Sequence, residues 1–194
     1  AFEWGRLKMQ ASVLGYFVHE KVERFEARPD KAVATPAFFG SFKVLKNHDL
    51  SVRAFYKRMF RMPTFNDLYY TDMGNAFLKP EYAEQFNVGL KYTRNFEKSP
   101  FMRMLDVSVD AYYNKITDKI IAYPKGQQFR WTMLNLGEVE IKGVDAVLNT
   151  QFSLGKLEVT TKFQYTYQKA IDITDPADTY YRDQIPYIPW HSGS

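Results

Sequence analysis

Hydrophobic and polar residues alternate with a period of two over long stretches of this chain. From Phe86 the apolar residues Phe86, Val88, Leu90 and Tyr92 take every second position, while Gln85, Asn87, Gly89, Lys91 and Thr93 fill the other set. A period of two describes a strand with one greasy face and one wet face. Leu7, Met9, Ala11 and Val13 alternate in the same way, as do Leu50, Val52, Ala54 and Tyr56. Leu105, Val107, Val109, Ala111 and Tyr113 follow, then Val144, Ala146 and Leu148, and finally Leu157, Val159, Phe163, Tyr165 and Tyr167. The pattern predicts strands at roughly 6–18, 36–46, 49–60, 82–94, 102–116, 131–152 and 156–169, with the start of another near 187.

The connections sort into two kinds. Those near residues 47, 97 and 154 are short, and Lys46-Asn47-His48-Asp49 carries a hairpin signal. Those near 25, 70, 124 and 180 are expected to run from roughly ten to more than twenty residues, a length that soluble domains seldom keep without structure. Short and long turns therefore alternate along an up-and-down meander, as the short periplasmic turns and long extracellular loops of membrane barrels do. Pro63, Pro80, Pro186 and Pro189 all fall outside the predicted strands, where a missing N–H does no harm.

Strand length points the same way. A tilted strand needs about 9 to 11 residues to cross a bilayer, and several of these stretches sustain alternation that far. The globular norm is about five or six. The wet face also carries Asp106, Asp110, Asp145, Glu158 and Lys162 deep within strands. A packed sandwich core would reject such groups, whereas a water-filled lumen accepts them. Val107, Val109, Phe163 and Tyr165 are thus expected to face lipid, and Asp106, Asp110, Lys162 and Gln164 the lumen. The fold class expected is all-β, an antiparallel up-and-down meander forming about seven or eight strands of a large transmembrane β-barrel.

Composition sharpens this picture. Sixteen Phe, fourteen Tyr and three Trp make 17% of the 194 residues, which suits strands and the aromatic girdles of membrane barrels. Mean hydropathy is −0.42, and no run approaches the roughly eighteen apolar residues a spanning helix requires. The charge of +4 arises from 26 basic and 22 acidic residues scattered along the chain, so no nucleic-acid partner is expected. There is no cysteine, which excludes disulfides, thiolate metal sites and cysteine nucleophiles. Ala1 opens in ordinary sequence with no signal-peptide pattern, so the chain is expected to be either cytoplasmic or a piece cut from a longer precursor.

Candidate chemistry is sparse. His19, His48 and His191 lie far apart in loops or turns without a catalytic or metal-ligand neighbour at useful spacing. Asp172, Asp175, Asp178 and Asp183 crowd the last loop, and carboxylate oxygens are hard ligands suited to Ca²⁺. Their spacing fits no EF-hand, so Asp172, Asp175 and Asp178 are metal candidates set against solvated loop acids.

Three motifs carry a family resemblance. The first comprises Arg61, Pro63, Thr64, Phe65, Asp67, Leu68 and Tyr69, then Gly74, Asn75, Leu78, Lys79, Pro80 and Glu81, then Gln85, Phe86, Val88 and Gly89. The second is Asn135, Leu136 and Gly137 leading to Ile141, Lys142, Gly143, Val144 and Asp145, and the third is Gln184-Ile185-Pro186-Tyr187-Ile188-Pro189 with His191. In this order they resemble the barrel of TonB-dependent outer-membrane receptors, over most of residues 49–191. Two departures are visible: Ala76 stands where the family usually has proline, and Asp145 where it usually has glutamate.

The resemblance implies an outer-membrane location in a Gram-negative cell and a barrel of about 22 strands, of which this chain holds the C-terminal part as a fragment without the plug domain. It implies active transport of a scarce nutrient of siderophore, haem or cobalamin type, driven by the TonB complex through the missing plug. The implied partners are outer-membrane lipid, the rest of the barrel, the TonB complex and a small metal-chelate ligand; no cofactor is expected. By the same resemblance the loop holding Tyr69, Tyr70, Asp72 and Phe77 faces outside and supplies ligand-contact candidates. Arg61 stands with them as a candidate, although an anchor to neighbouring carboxylates is the role expected of it. Two alternatives stay open. An outer-membrane enzyme barrel would need a His/Ser/Asp or acidic constellation that is not seen, so no enzyme is expected, and a soluble β-sheet binding module would pack one strand face into a dry core.

Overall fold

The computed structural model describes residues 1–19, 21, 30–45, 49–70, 73–125, 130–185 and 188–194. Among the described residues nine strands follow one another: β1 (Phe2–Trp4), β2 (Leu7–Val18), β3 (Lys31–Lys43), β4 (Asp49–Arg61), β5 (Glu81–Asn95), β6 (Met102–Lys125), β7 (Arg130–Leu154), β8 (Leu157–Asp172) and β9 (His191–Gly193). They form one sheet whose spatial order is the chain order, every pair antiparallel. One short helix, α1 (Phe65–Tyr69), interrupts the connection between β4 and β5. At the short-turn rim Gly5 and Gly155 adopt φ of +58° and +66°, the left-handed geometry that tight turns demand.

The register sorts the side chains into two faces. Val107 lies opposite Leu148, which lies opposite Phe163, and one step along Val109, Ala146 and Tyr165 form the next row. The four predicted lipid-facing residues therefore share one face. Asp106, Asn149 and Lys162 make a row on the other face, with Asp110 and Gln164. The apolar face is open: Phe163 is 61% exposed and Val88 58%.

Aromatic rings run across this open face in a line. Phe38, Tyr56, Phe86 and Tyr113 occupy successive strands in one register row, with centroid separations of 6.4, 4.9 and 6.3 Å. Toward the short-turn rim the same face holds Val52, Ala54, Val88, Leu90, Val107 and Val109. Lys142 stands beside Tyr113 at the end of the aromatic row, and toward the long-loop rim the face turns charged, with Arg58, Glu84 and Lys115.

On the polar face, glycines act as windows. Arg53 reaches across Gly89 to Asp110, its Nε donating to Oδ1 at 3.1 Å, and a Cβ on Gly89 would overlap the Asp110 carboxylate. Tyr112 lies across Gly143 so that its hydroxyl donates to Gln168 Oε1 at 3.2 Å. A Cβ on Gly143 would strike that ring and stand 2.7 Å from the Tyr167 carbonyl oxygen. Gly143→Val should therefore cost about 1 to 3 kcal/mol by overpacking, lowering the denaturant midpoint of the full-length protein, while Tyr112→Phe, which loses only the hydroxyl, should cost less.

The polar face is not wet throughout. Near the long-loop rim Ala83, Ile116, Val139, Ile141 and Ala170 replace the polar set, and Ile185 from the last connection closes over them. Val139 is completely buried. Five contiguous apolar side chains on an otherwise polar face need a cover, and the chain supplies it by folding residues 173–185 back inward. Ile185 N–H donates to Ala170 O at 2.9 Å and Ile173 N–H to Glu138 O at 2.9 Å.

The connection expected to be long near residue 124 is shortened by its flanking strands. β6 and β7 continue past residue 116 and pair as far as Lys125 and Arg130, leaving only residues 126–129 between them. Alternation is obscured there by the polar run Thr117-Asp118-Lys119, within which Asp118 takes a left-handed φ of 54°. The backbone ladder skips Asp118 and resumes at Lys119 and Leu136 in the same register. The strand expected near 187 begins at His191, and β3 begins at Lys31 rather than 36. Of the hairpin signal at 46–49, residues 46–48 lie outside the described ones.

Candidate binding site at the long-loop rim

The β4–β5 connection, residues 62–80, is the most built part of this rim. Thr64 caps α1: its Oγ1 accepts from the Asp67 N–H at 3.2 Å, and the Asp67 carboxylate accepts from the Thr64 N–H at 2.8 Å. This reciprocal box satisfies amide donors that a helix start leaves without intrahelical partners. Asp67 also takes Arg61 Nη2 at 3.0 Å, and Arg61 Nη1 lies 3.5 Å from Glu81. Glu81 in turn accepts from the Ile120 N–H on β6 at 3.1 Å. Arg61 thus ties both ends of the loop to the sheet.

The second half of the loop docks on the β6–β7 hairpin. Leu68 and Leu78 bury themselves against Ile120, with Tyr69 and Met133 packed around them. Gly74 lets the chain turn tightly, since a Cβ there would come within 2.8 Å of the Leu68 and Tyr70 backbone. Asn75 holds the turn by accepting from the Phe77 N–H and donating to the Met133 carbonyl at 3.0 Å.

Asn135 completes the clamp. Its Oδ1 accepts from the Lys79 N–H at 2.8 Å, and its Nδ2 donates to the Lys79 carbonyl at 3.0 Å and to the Asp118 carbonyl at 2.7 Å. The Gly-Asn…Leu-Lys-Pro stretch and the Asn-Leu-Gly stretch, two of the sequence motifs, are in direct contact. Two carbonyls and an amide outside regular pairing require partners, and a single carboxamide provides all three.

Each candidate side chain can now be located. Arg61 is engaged by Asp67 and Glu81, and Tyr69 packs against the Leu68 cluster while its ring sits 5.0 Å from Phe65. Tyr70 and Phe77 point outward, Phe77 being 93% exposed. Asp72 lies outside the described residues. Phe65, at 69% exposure, joins Tyr70 and Phe77 as an open loop aromatic; the Thr64-x-x-Asp67 capping box was the signal that could have placed it at a helix start.

The acids of the last loop serve their own backbone. Asp172 accepts from Thr174 N–H at 2.8 Å, Asp175 from Ala177 N–H at 2.9 Å and Asp178 from Tyr180 N–H at 3.1 Å. Such side-chain turns shape the loop without a ligand. Among the described residues no three His, Asp or Glu side chains come together in a way that would hold a metal ion.

Comparison of the sequence with known proteins finds a family and relatives. The model of the TonB-dependent receptor-like β-barrel family matches residues 11–194. A vitamin B12 transporter, BtuB, of Vibrio vulnificus is 32% identical over 99 residues, 51% of this chain and 14% of the relative. A vitamin B12 transporter, BtuB, of Photobacterium profundum is 34% identical over 113 residues, 55% of this chain and 16% of the relative. The match thus spans only a small part of the length of these relatives. The chain belongs to the TonB-dependent receptor β-barrel family and forms part of such a transmembrane barrel.

Proposed function

We propose that this chain is a section of the wall of an outer-membrane receptor that takes up a cobalamin-type nutrient with energy from the TonB complex. The observation that carries the membrane part of this reading is the open apolar face, lined with Phe86, Val88, Leu90, Val109, Phe163 and Tyr165 and edged by a row of rings, while the ligand class follows the similarity to the vitamin B12 transporters and the energy source follows the family. No second layer covers that face among the described residues, as a soluble module would require. A bilayer removes the difficulty, because hydrocarbon meets the apolar residues and interfacial headgroups meet the rings.

In this reading the polar face lines the lumen, where Arg53, Asp106, Asp110 and Lys162 stay hydrated. The long-loop rim faces the outside, with Phe65, Tyr70 and Phe77 as the side chains open to a ligand. The plug and the remaining strands come from the rest of the receptor. Transport, not catalysis, is its task.

The test is uptake of labelled cobalamin by cells that lack their own cobalamin receptor and express the full-length protein. Accumulation above the empty-vector level that vanishes in cells without TonB is the expected result. Uptake of haem or a ferric siderophore with none of cobalamin would overturn the ligand class, and uptake that persists without TonB would overturn the energy source.

A further inference from the structure

On the polar face, between the dry cluster near the long-loop rim and the charged row of Arg53, Asp110 and Asp145, runs a band of carboxamides. Gln85 of β5 lies opposite Asn114 of β6. In the next row toward the short-turn rim Asn87 lies opposite Tyr112, and Gln168 follows two strands further on. Together they line a pocket of about 330 Å³ with Asp145 at its corner.

The amides are uncommitted. Among the described residues the side chains of Gln85, Asn87 and Asn114 make no hydrogen bond within the chain. Asn87 Oδ1 is also closed off from solvent, and a shielded acceptor without a partner is unfavourable until a donor reaches it. Gln168 accepts from the Tyr112 hydroxyl at 3.2 Å, which leaves its NH₂ group free. The rows closer to the short-turn rim differ: Arg53 is paired with Asp110, and Lys91 with Asp106 at 3.2 Å. Asp145 alone carries charge in the lining, and among the described residues no cation pairs with it. Lys57 stands opposite Gln85 but outside the lining.

A neutral set of donors and acceptors beside one bare carboxylate fits a neutral ligand rich in N–H donors. Primary carboxamides are such groups, because each offers two N–H donors and an acceptor and pairs with another carboxamide through two hydrogen bonds. A carboxylate in the same place meets the charge of Asp145. The volume lies at the low end for a ligand site, enough for the arms of a larger molecule. Gln85 is also about 13 Å along β5 from Glu81 at the rim, at about 3.3 Å per residue. A ligand released by the loops comes to this pocket next.

We propose that the pocket is a passage site for the carboxamide arms of a corrin, entered after the ligand leaves the loop rim. The proposal deepens the transport reading and rests on its cobalamin-type cargo, whose macrocycle carries neutral acetamide and propionamide arms.

The test measures uptake and surface binding in cells that lack their own cobalamin receptor and express the full-length protein. Three corrinoids are compared: cobalamin, a cobalamin whose propionamide arms are hydrolysed to carboxylates, and cobinamide, which keeps the arms but lacks the nucleotide. Surface binding is read in cells without TonB, where the proposed transport stops. Gln85→Leu with Asn114→Leu, similar in size but without amides, should slow uptake of cobalamin and cobinamide about ten- to thirtyfold, the loss of two hydrogen-bonded contacts, and leave surface binding unchanged. Gln85→Asn with Asn114→Gln, which keeps both amides, should retain uptake. The carboxylate analogue should enter the wild type about tenfold more slowly than cobalamin at equal surface occupancy, and Asp145→Asn should narrow that gap. Heat-modifiable gel mobility reports that each variant is a folded barrel.

Unchanged cobalamin uptake by the double leucine variant overturns the proposal, as does equal entry of the carboxylate analogue. A loss for cobalamin with none for cobinamide overturns it too, making the pocket a site for the nucleotide. An equal loss of surface binding does the same, making the amides supports of another part of the receptor. Failure of the cargo reading is seen separately, as a wild type that takes up no cobalamin, and it removes this proposal with it.

Discussion

Replacing Val109 with arginine in the full-length receptor should destabilise the folded barrel by about 2 to 4 kcal/mol. Val109 is 40% exposed on the apolar face, between Ala146 and Leu90 in the register. It lies two same-face positions from Tyr113, the β6 member of the aromatic row, and so inside the band that hydrocarbon would cover. An arginine there must either leave its charge in hydrocarbon or draw water and headgroups toward it. The neighbouring Ser108→Arg, on the polar face, places the same group in the lumen and should cost much less. Denaturant titrations in vesicles measure the difference, and equal midpoints for the two variants would mean that the faces are assigned wrongly.

Asn135→Ala should release the β4–β5 loop from the hairpin. The carboxamide supplies three hydrogen bonds to the Lys79 and Asp118 backbone, each of net worth about 1 kcal/mol, so the docked state should lose about 2 to 3 kcal/mol. The loss is local. Amide exchange at Leu78, Lys79 and Met133 should accelerate by about thirty- to a hundredfold, while amides of β6 between residues 105 and 113 keep their protection. Because Leu68, Leu78 and Tyr69 pack on Ile120 through the same docking, the loop aromatics Phe65, Tyr70 and Phe77 should lose their fixed placement as well. Unchanged exchange at Leu78 and Lys79 would show that apolar packing alone holds the loop.

The seven long strands were legible because their two faces differ so strongly in polarity. Phe86, Val88 and Leu90 against Gln85, Asn87 and Lys91 admit only one period. The extension of β6 beyond Ile116 was hidden, since Thr117, Asp118 and Lys119 break the alternation while the backbone ladder resumes in register past Asp118. α1 is five residues long, too short for a helical period to declare itself. β1 spans three residues and exists only by pairing with Met9, Lys8 and Leu7.

At the site, the anchoring role of Arg61 was legible from its carboxylate neighbours, Asp67 six positions away and Glu81 at the other end of the loop. The role of Asn135 was not. Its partner Lys79 is 56 residues distant, and nothing local distinguishes a carboxamide that clamps another loop from one that is solvated. The dry cluster on the polar face was hidden for a related reason: Ile116, Val139, Ile141 and Ala170 are spread over three strands, and Ile185 arrives from a loop.

The assignment of the two faces underlies the transport reading, and this chain has no cysteine to remove before labels are placed in it. Single cysteines at Val107, Val109, Phe163 and Tyr165, and at Asp106, Asp110, Lys162 and Gln164, can carry nitroxide labels in the full-length receptor reconstituted in vesicles. The first set should relax with oxygen, which concentrates in hydrocarbon, and the second with an aqueous nickel chelate. Accessibility that fails to alternate along 106–110 and 162–165, or alternates with the opposite sign, would contradict the assignment.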